Sequence, residues 1–100
     1  MRILVQQEAF DFGAEAQAFA SGHTDMGAIV TFTGVVRDVE GDKLDRMVIE
    51  HYPGMTEKAL AKIAAEARER WQLGDALVIH RYGDLRPGDM IMMVATAAPH

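Results

Sequence analysis

The amino-acid sequence predicts a two-layer α+β domain, in which two helices lie on a mostly antiparallel sheet and the elements follow the order β-α-β-β-α-β-β. Three patterns support this prediction. Several stretches alternate apolar and polar side chains, two stretches place apolar side chains three or four residues apart, and a strong turn sequence separates the last two strands. Because no linker, repeat or low-complexity stretch interrupts the 100 residues, we expect a single domain over residues 1–100.

The first part of the chain contains two predicted strands with a helix between them. Residues 2–8 predict a short strand, and residues 12–20 predict a helix whose apolar side chains share one face before a Ser-Gly pair ends it. Residues 27–37 (GAIVTFTGVVR) form the clearest strand of the chain, because β-branched side chains recur in it and its residues alternate between two faces.

An acidic segment, residues 38–43 (DVEGDK), follows this strand and contains a glycine, which is typical of an exposed turn. Residues 44–52 then resume the alternation of apolar and polar side chains. We therefore expect the strand at 44–52 to pair antiparallel with the strand at 27–37 across the acidic turn.

The second half of the chain begins with the longest predicted helix, at residues 55–71, after a Pro-Gly pair breaks the preceding strand. Its apolar stripe consists of Met55, Ala59, Leu60, Ile63, Ala67 and Trp71. We expect this stripe to pack on the sheet and Gly74 to end the helix. Strands follow at residues 76–82 and 90–98, separated by a type II turn at residues 86–89 with proline in the second position and glycine in the third.

Composition excludes several classes of function. The formal net charge is −5, so we expect no nucleic-acid partner, because such binding needs a basic face. The chain has no cysteine, and its four histidines lack the spacing of a zinc site, so we expect no metal site. No apolar run approaches the ~20 residues that span a bilayer, and the apolar N-terminal stretch is too short for a signal peptide. We expect a soluble, cytoplasmic protein without a membrane partner.

Arg37 is the first candidate for chemistry, because it stands at the end of the predicted strand 27–37, close to Gly34. A guanidinium at a strand end can bind an oxyanion or a phosphate, particularly where a glycine lets a ligand approach. The alternative is a solvated arginine that pairs with one of the acidic residues after it, Asp38, Glu40 or Asp42. The sequence pattern leaves both interpretations open.

Two other places hold histidines. Residues 51–55 (HYPGM) predict a strand-to-helix corner, where backbone amides at the start of the helix could bind an anion; the alternative is a structural corner in which Tyr52 packs. His80 and Arg81 are neighbours in a predicted strand, so their side chains face opposite ways. The simple expectation is a hydrogen-bonded sheet histidine and a surface charge. None of these residues forms a nucleophile–base pair or a carboxylate dyad.

Three stretches carry the motifs of one known family. Residues 27–37 contain a "TFxGxVR" strand, residues 49–60 (IEHYPGMTEKAL) contain an "EHYPGM" corner, and residues 79–89 (IHRYGDLRPGD) contain an "HRxGxLxxGD" hairpin, after which a strand leads into Ala-Pro-His. All three occur in order and at family-like intervals over most of the chain. The sequence therefore resembles the large, catalytic subunit of molybdopterin synthase, the MoaE family. The resemblance covers the N-terminal two-thirds of that family's length and implies its α+β fold.

The resemblance also implies an activity, a sulfur transfer in molybdenum cofactor biosynthesis. In this family a small ubiquitin-like carrier subunit brings sulfur as a C-terminal thiocarboxylate, and two sulfurs pass to cyclic pyranopterin monophosphate to give molybdopterin. No metal or organic cofactor is implied, because the thiocarboxylate carries activated sulfur. The expected partners are the carrier subunit, the small-molecule pterin substrate and a second copy of the chain, so that a homodimer with two carriers forms a heterotetramer.

The positions of the motifs imply site residues as well. Val35, Val36 and Arg37 match the family's substrate-contacting segment, Phe32 matches a pocket aromatic, and His100 matches a phosphate-binding histidine that acts across the dimer interface. The arginine that follows this histidine in the family, the next helix and the family's two catalytic lysines lie beyond residue 100. No catalytic residue is therefore assigned within residues 1–100, and we expect little or no synthase activity from these residues alone.

Two other functions are compatible with the residues when the resemblance is set aside. One is a non-catalytic binding module with a ferredoxin-like α+β fold. The other is a small acyl- or phosphoryl-hydrolase that uses Arg37 as an anion clamp, although no partner base lies near Arg37 in the sequence. Binding of the ubiquitin-like carrier separates the family interpretation from both.

Overall fold

The computed structural model describes residues 1–38 and 46–100. In these residues the chain forms six strands and two helices. The strands are β1 (Arg2–Gln6), β2 (Ala28–Val35), β3 (Met47–Ile49), β4 (Asp75–Arg81), β5 (Gly83–Leu85) and β6 (Met90–Ala98); the helices are α1 (Phe12–Ser21) and α2 (Met55–Trp71). The predicted bounds of α2 and β6 agree with the structure. The short strand β5 has no counterpart in the prediction.

Four strands form one mixed sheet in the order β1-β4-β6-β2, and β3 pairs with β5 in a separate two-stranded sheet. The pair of β1 and β4 is parallel, whereas β4 with β6, β6 with β2, and β3 with β5 are antiparallel. The predicted α+β class, with two helices and mostly antiparallel pairing, is confirmed. The antiparallel neighbours β4 and β6 also confirm the expected pairing of the strands on either side of the turn at 86–89.

The predicted pairing of residues 27–37 with residues 44–52 is wrong. β2 pairs instead with β6, from Ala28 opposite Ala98 to Val35 opposite Met90. The physical reason is length, because β6 offers a long apolar strand to β2, whereas β3 contains three residues and finds a three-residue partner in β5. Most of the predicted acidic turn and the start of the strand at 44–52 lie in residues 39–45, outside the described residues.

Both helices begin with a carboxylate that accepts a backbone N–H. The Asp11 side chain accepts a 3.0 Å hydrogen bond from the Ala14 N–H, and the Glu57 side chain accepts a 2.6 Å hydrogen bond from the Gly54 N–H. Such bonds satisfy N–H groups that have no partner within the helix. α2 ends at Trp71 as predicted, but Gln72, and not Gly74, takes the left-handed conformation that closes the helix.

Gly74 has a different task from the one predicted. Its N–H donates a 2.7 Å hydrogen bond to the Ala97 carbonyl, which brings the chain back to the sheet directly after α2. A Cβ atom at this position would lie 2.3 Å from the Met26 Cε atom, so the close approach excludes a larger residue unless Met26 moves.

The main core lies between α1 and one face of the four-stranded sheet. Its buried members are Phe19, Leu77, Ile79, Met93, Ala95 and Ala97. These side chains belong to α1, β4 and β6, and the strand residues among them alternate in sequence, as expected of one sheet face. Burial on this face ties α1 to the two central strands.

The opposite face of the sheet is only partly covered. α2 lies against β1 and β4, and an open apolar groove of about 190 Å³ remains between α2 and the sheet, with Leu60, Val78 and Val94 in its lining. The expectation that the apolar stripe of α2 packs as a whole is wrong, because Met55, Ile63 and Trp71 are exposed and only Ala64 is buried. A helix that crosses two strands at one side of a sheet cannot cover all four.

The turn at residues 86–89 has the predicted type II geometry. The Asp89 N–H donates a 2.9 Å hydrogen bond to the Arg86 carbonyl, and Gly88 has a φ of 92°. We expect Gly88→Ala to lower the free energy of unfolding by about 1 kcal/mol, because an L side chain disfavours this φ although nothing lies within 4 Å of the new Cβ.

Urea denaturation checks the Gly88 prediction, with Gly13→Ala in α1 as the matched glycine control. Gly13 has no positive φ and its helix gains from alanine, so this control is expected to shift stability in the opposite direction. A Gly88→Ala protein as stable as the Gly13→Ala protein would contradict the strain argument.

Candidate functional site

Several predicted residues converge at one end of the four-stranded sheet. β2 and β4 end here, at Val35 and Arg81, and β6 begins here, at Met90. Val35 stands opposite Met90 in the ladder, and the Arg81 guanidinium donates to the Met90 carbonyl. The segment 35–37, the strand end at Arg81 and the turn at 86–89 therefore form one surface, named here the arginine end.

A β-bulge shapes the segment 35–37. Gly34 stands opposite Met92 while Val35 stands opposite Met90, so Ile91 is an extra residue on β6. A bulge bends a strand and re-aims the residues beside it. Beyond the bulge the Val36 side chain is buried, with 1% exposure, whereas Val35 and Arg37 are exposed.

Val36 is held at this place by its backbone. Its N–H donates a 2.9 Å hydrogen bond to the Asp89 carbonyl, and its carbonyl accepts a 2.9 Å hydrogen bond from the Gly88 N–H. A contact between the Val36 side chain and a substrate, which the motif implies, does not fit this burial. The contribution of Val36 is to fix the residues on either side of it.

Arg37 is exposed beside the buried Val36. Within residues 1–38 and 46–100 it makes no ion pair, including none with Asp38. Glu40 and Asp42, the other predicted acidic neighbours, lie outside the described residues. The Gly34 position is not a steric requirement, since a Cβ there would meet only Met92 at an ordinary 3.5 Å.

The sequence pattern predicts a surface charge at Arg81. In the structure its side chain is held by several hydrogen-bond acceptors. Its side chain is 12% exposed, and its Nε donates a 2.9 Å hydrogen bond to the Gln7 carbonyl. Its Nη1 lies 3.5 Å from the Met90 carbonyl and 4.0 Å from Asp89 Oδ2. The sequence gives little sign of this, because two of the three acceptors are backbone carbonyls.

A second polar cluster lies beside the arginine end, in a cleft of about 150 Å³ under the start of α2. The His51 ring stacks on the Tyr82 ring with centroids 3.9 Å apart, and His51 Nε2 is 3.0 Å from Glu57 Oε1. The hydrogen bond with His51, and then backbone N–H groups at the start of α2, lower the pKa of the Glu57 carboxyl.

The idea that the first amides of α2 bind an anion does not fit the structure. The Gly54 N–H donates to Glu57, and the Met55 and Thr56 N–H groups donate to the Tyr52 carbonyl at 3.1 Å. A carboxylate of the helix itself therefore occupies the place that an anion would take. The Tyr52 side chain is exposed and donates a hydrogen bond to Glu50 rather than packing at the corner.

Phe32 and His100 lie away from the arginine end. Phe32 stands opposite Val94 in the middle of β2, 66% exposed on the sheet face that α2 leaves uncovered. His100 follows the far end of β6, where the Gly27 N–H donates a 3.0 Å hydrogen bond to the Pro99 carbonyl. Seven steps along β2 separate this end from Val35, or about 24 Å at strand spacing. Arg37 and His100 of one chain therefore do not share one pocket.

The far end of the sheet has its own ionic cluster. His23 Nδ1 lies 2.6 Å from the Phe19 carbonyl and Nε2 lies 2.7 Å from Asp75 Oδ2, so both ring nitrogens face acceptors. The Phe19 carbonyl first, and then Asp75, raise the pKa of His23. Burial raises the pKa of Asp75, but hydrogen bonds from the Ala76 N–H, His23 and the N-terminal ammonium together lower it.

This cluster predicts a pH dependence of stability. Because folding raises the pKa of His23, its contribution is complete below the ordinary value of 6.5 and is lost as the pH rises through the folded value. Urea midpoints measured from pH 5 to 9 should show that the wild type is more stable than His23→Gln at low pH. This difference in stability should disappear above the folded-state pKa of His23. The exposed His100→Gln is the control, and an advantage over His23→Gln that stays constant with pH would contradict the prediction.

A model of one protein family, described as MoaE protein, matches residues 5–100. The chain belongs to the MoaE family. A relative named molybdopterin synthase catalytic subunit, from Cereibacter sphaeroides, is 68% identical over 100 residues, which are 100% of this chain and 68% of that protein. The relative of the same name from Ralstonia nicotianae is 54% identical over 99 residues, 98% of this chain and 56% of that protein.

Solved structures agree with the MoaE fold. The molybdopterin biosynthesis MoaE protein from Burkholderia ambifaria superposes with a TM-score of 0.88 at 48% identity, over 99% of this chain and 65% of that chain. A chain from the complex of subunits 1 and 2 of the Helicobacter pylori molybdopterin-converting factor reaches a TM-score of 0.81 at 17% identity, over 98% and 66% of the two chains, and shows the fold alone.

This MoaE family member spans about half to two-thirds of the length of the relatives it matches. The match favours the molybdopterin synthase interpretation over the ferredoxin-like binding module and the hydrolase. None of the described helices is long and apolar enough to cross a membrane. In residues 1–38 and 46–100, no three His, Cys, Asp or Glu side chains are arranged to hold a metal ion.

Proposed function

We propose that this chain acts in molybdenum cofactor biosynthesis as the catalytic-subunit part of a molybdopterin synthase. In this reaction sulfur passes from the thiocarboxylated C-terminus of a small carrier subunit to cyclic pyranopterin monophosphate, and two transfers give molybdopterin. The observation that carries the proposal is the 68% identity, along the whole chain, to a protein named molybdopterin synthase catalytic subunit.

The charge distribution at the arginine end supports the proposal. The pterin substrate carries a cyclic phosphate and the carrier tail is anionic, so their site must be basic within a protein whose net charge is −5. Arg37 is exposed there, and Arg81 donates to the carbonyl of Met90, which stands opposite Val35. We assign Arg37 to the anionic oxygens of the substrate and Val35 to its apolar part.

The proposed assembly contains two copies of the chain and two carrier subunits. Arg37 and His100 stand at opposite ends of β2 and β6, so one site that uses both needs them from different copies. The exposed Phe32 and Val30 on β2, and the open groove beside α2, supply apolar surface for such an assembly. We place the assembly in the cytoplasm, as the composition indicates.

The proposed chemistry needs no metal or organic cofactor, because the sulfur arrives as a thiocarboxylate that is already activated. Residues 1–100 supply binding and orientation in this scheme.

A reconstituted sulfur transfer tests the proposal. Residues 1–100 and the intact Cereibacter sphaeroides relative are each mixed with thiocarboxylated carrier and cyclic pyranopterin monophosphate, and molybdopterin is measured with time. We expect residues 1–100 to bind both ligands in titrations, and their product formation is compared with that of the relative. A carrier that lacks its C-terminal glycines serves as the control. Absence of binding to both ligands would refute the proposed function.

A further inference from the structure

Arg81 links two separate pieces of backbone at the arginine end. Its Nε donates to the carbonyl of Gln7, directly after β1, and its Nη1 donates to the carbonyl of Met90, the first residue of β6. The same Nη1 faces the Asp89 carboxylate at 4.0 Å. The planar guanidinium fork can serve acceptors in several directions at once, whereas an ammonium is a single point of charge.

The contacts of Arg81 continue to the segment that carries Arg37. Asp89 and Met90 are consecutive, and the Asp89 carbonyl accepts the N–H of Val36. The Gly88 N–H closes a second hydrogen bond to the Val36 carbonyl, and the Asp89 carboxylate accepts the Arg86 N–H at 2.8 Å. Val36 is thereby bound on both of its backbone groups, and the residue after it is Arg37.

The β-bulge makes this arrangement dependent on the turn. Within the bulge, Ile91 has no partner in the ladder, so the pairing of β2 with β6 is interrupted between Gly34 and Val35. Beyond the bulge, the turn at 86–89 provides the two hydrogen bonds that place Val36. A side chain that holds the first residues of β6 therefore also sets the position of Arg37.

We propose that Arg81 is a positioning residue, which places the Arg37 guanidinium for the anionic substrate by anchoring Asp89 and Met90. This inference rests on the proposed function, because it assigns the pterin phosphate to Arg37. Arg81 itself does not touch the substrate in this scheme. Its Nε and Nη1 face Gln7, Met90 and Asp89, and its side chain is only 12% exposed.

Binding of cyclic pyranopterin monophosphate to residues 1–100, in a double-mutant cycle, tests the inference. Arg81→Gln is expected to weaken the affinity on the order of tenfold when Arg37 is present. In the Arg37→Ala background the same change should cost less than about twofold, because residues that act through one another are not additive. Arg86→Gln, an exposed arginine of the same turn, is the charge-matched control and should cost less than about twofold.

Nuclear magnetic resonance supplies a measurement that does not depend on the ligand. Arg81→Gln should speed hydrogen exchange at the Val36 and Gly88 amides and leave the core amides of Leu77 and Met93 unchanged. Arg81→Lys keeps the charge near Asp89 and can donate to one of the two carbonyls, so we expect it to recover part of the affinity and part of the protection. If Arg81→Gln does not fold, Arg81→Lys is compared with wild type in both measurements.

The outcomes distinguish failure of the positioning role of Arg81 from failure of the phosphate-binding role of Arg37. An equal loss of affinity in both Arg37 backgrounds, or unchanged exchange at Val36 and Gly88, would overturn the positioning role. If Arg37→Ala binds the pterin as tightly as wild type, the phosphate-binding role of Arg37 falls, and the positioning inference that depends on it falls as well. Faster exchange at Val36 with Arg37-dependent loss of affinity supports both.

Discussion

Replacement of Arg37 by alanine is expected to weaken the binding of cyclic pyranopterin monophosphate by about 100-fold. Hydrogen bonds to a charged group contribute about 1.5–3 kcal/mol each; two bonds at the lower end of this range give about 3 kcal/mol, which corresponds to about a hundredfold change. Arg37 suits this role because it is exposed at the arginine end beside a backbone fixed by the turn. Isothermal titration calorimetry of residues 1–100 measures the affinity.

The matched control for Arg37 is Arg46→Ala. The Arg46 side chain is 63% exposed and its Nη1 lies 3.7 Å from Asp84, so its removal changes the net charge equally without touching segment 35–37. Arg37→Lys separates charge from shape, and we expect it to recover only part of the affinity. If Arg46→Ala weakens binding as much as Arg37→Ala does, the effect is one of net charge and the local assignment fails.

Replacement of Met93 by alanine is expected to lower the free energy of unfolding by about 2–5 kcal/mol. Met93 has 0% exposure in the middle of β6, among the side chains that join α1 to the sheet. The truncation removes apolar contacts and leaves a cavity that the central strands cannot close. Since small domains have a total stability of about 5–15 kcal/mol, this single change removes a large share of it.

Urea denaturation followed by circular dichroism checks the Met93 prediction against Met55→Ala, a change of the same residue type in the first turn of α2. Met55 is 71% exposed, so its truncation should alter the free energy of unfolding by less than about 0.5 kcal/mol. Similar losses for the two variants would mean that the α1 face of the sheet is not the main source of stability.

Local patterns predict the elements of this chain better than their partners. The bounds of α2 and β6 agree with the sequence because a helical or strand-like periodicity runs without interruption between clear breakers, such as Pro53-Gly54 before α2. Local patterns do not predict the pairing partner of β2. Hairpin reasoning joins neighbours along the chain, whereas β6 lies beyond α2, β4 and β5, and competition between long and short strands decides the pairing.

In the candidate site, too, some features follow from local sequence and others depend on the tertiary fold. The position of Arg37 at a strand end follows from the sequence. The bulge beside Val36 lies in β6, and no residue type in segment 35–37 signals it. Arg81 escapes sequence reasoning because its hydrogen-bonded partners are carbonyls of Gln7 and Met90, which any residue provides. The distance between Arg37 and His100 requires the register of β2 and β6.

β2 is an edge strand of the four-stranded sheet, with β6 as its one neighbour in the described part of the chain. Its outer side therefore presents main-chain donors and acceptors, and its eight residues include neither a charge nor a proline. Such an edge can pair with another strand through backbone N–H and C=O groups, and proline is the one amino acid without the N–H. Strand pairing at this edge tolerates replacement of one apolar side chain by another. A single proline whose missing N–H lies on the outer side of β2 would interrupt the pairing, and a lysine on β2 would suppress self-association of the protein.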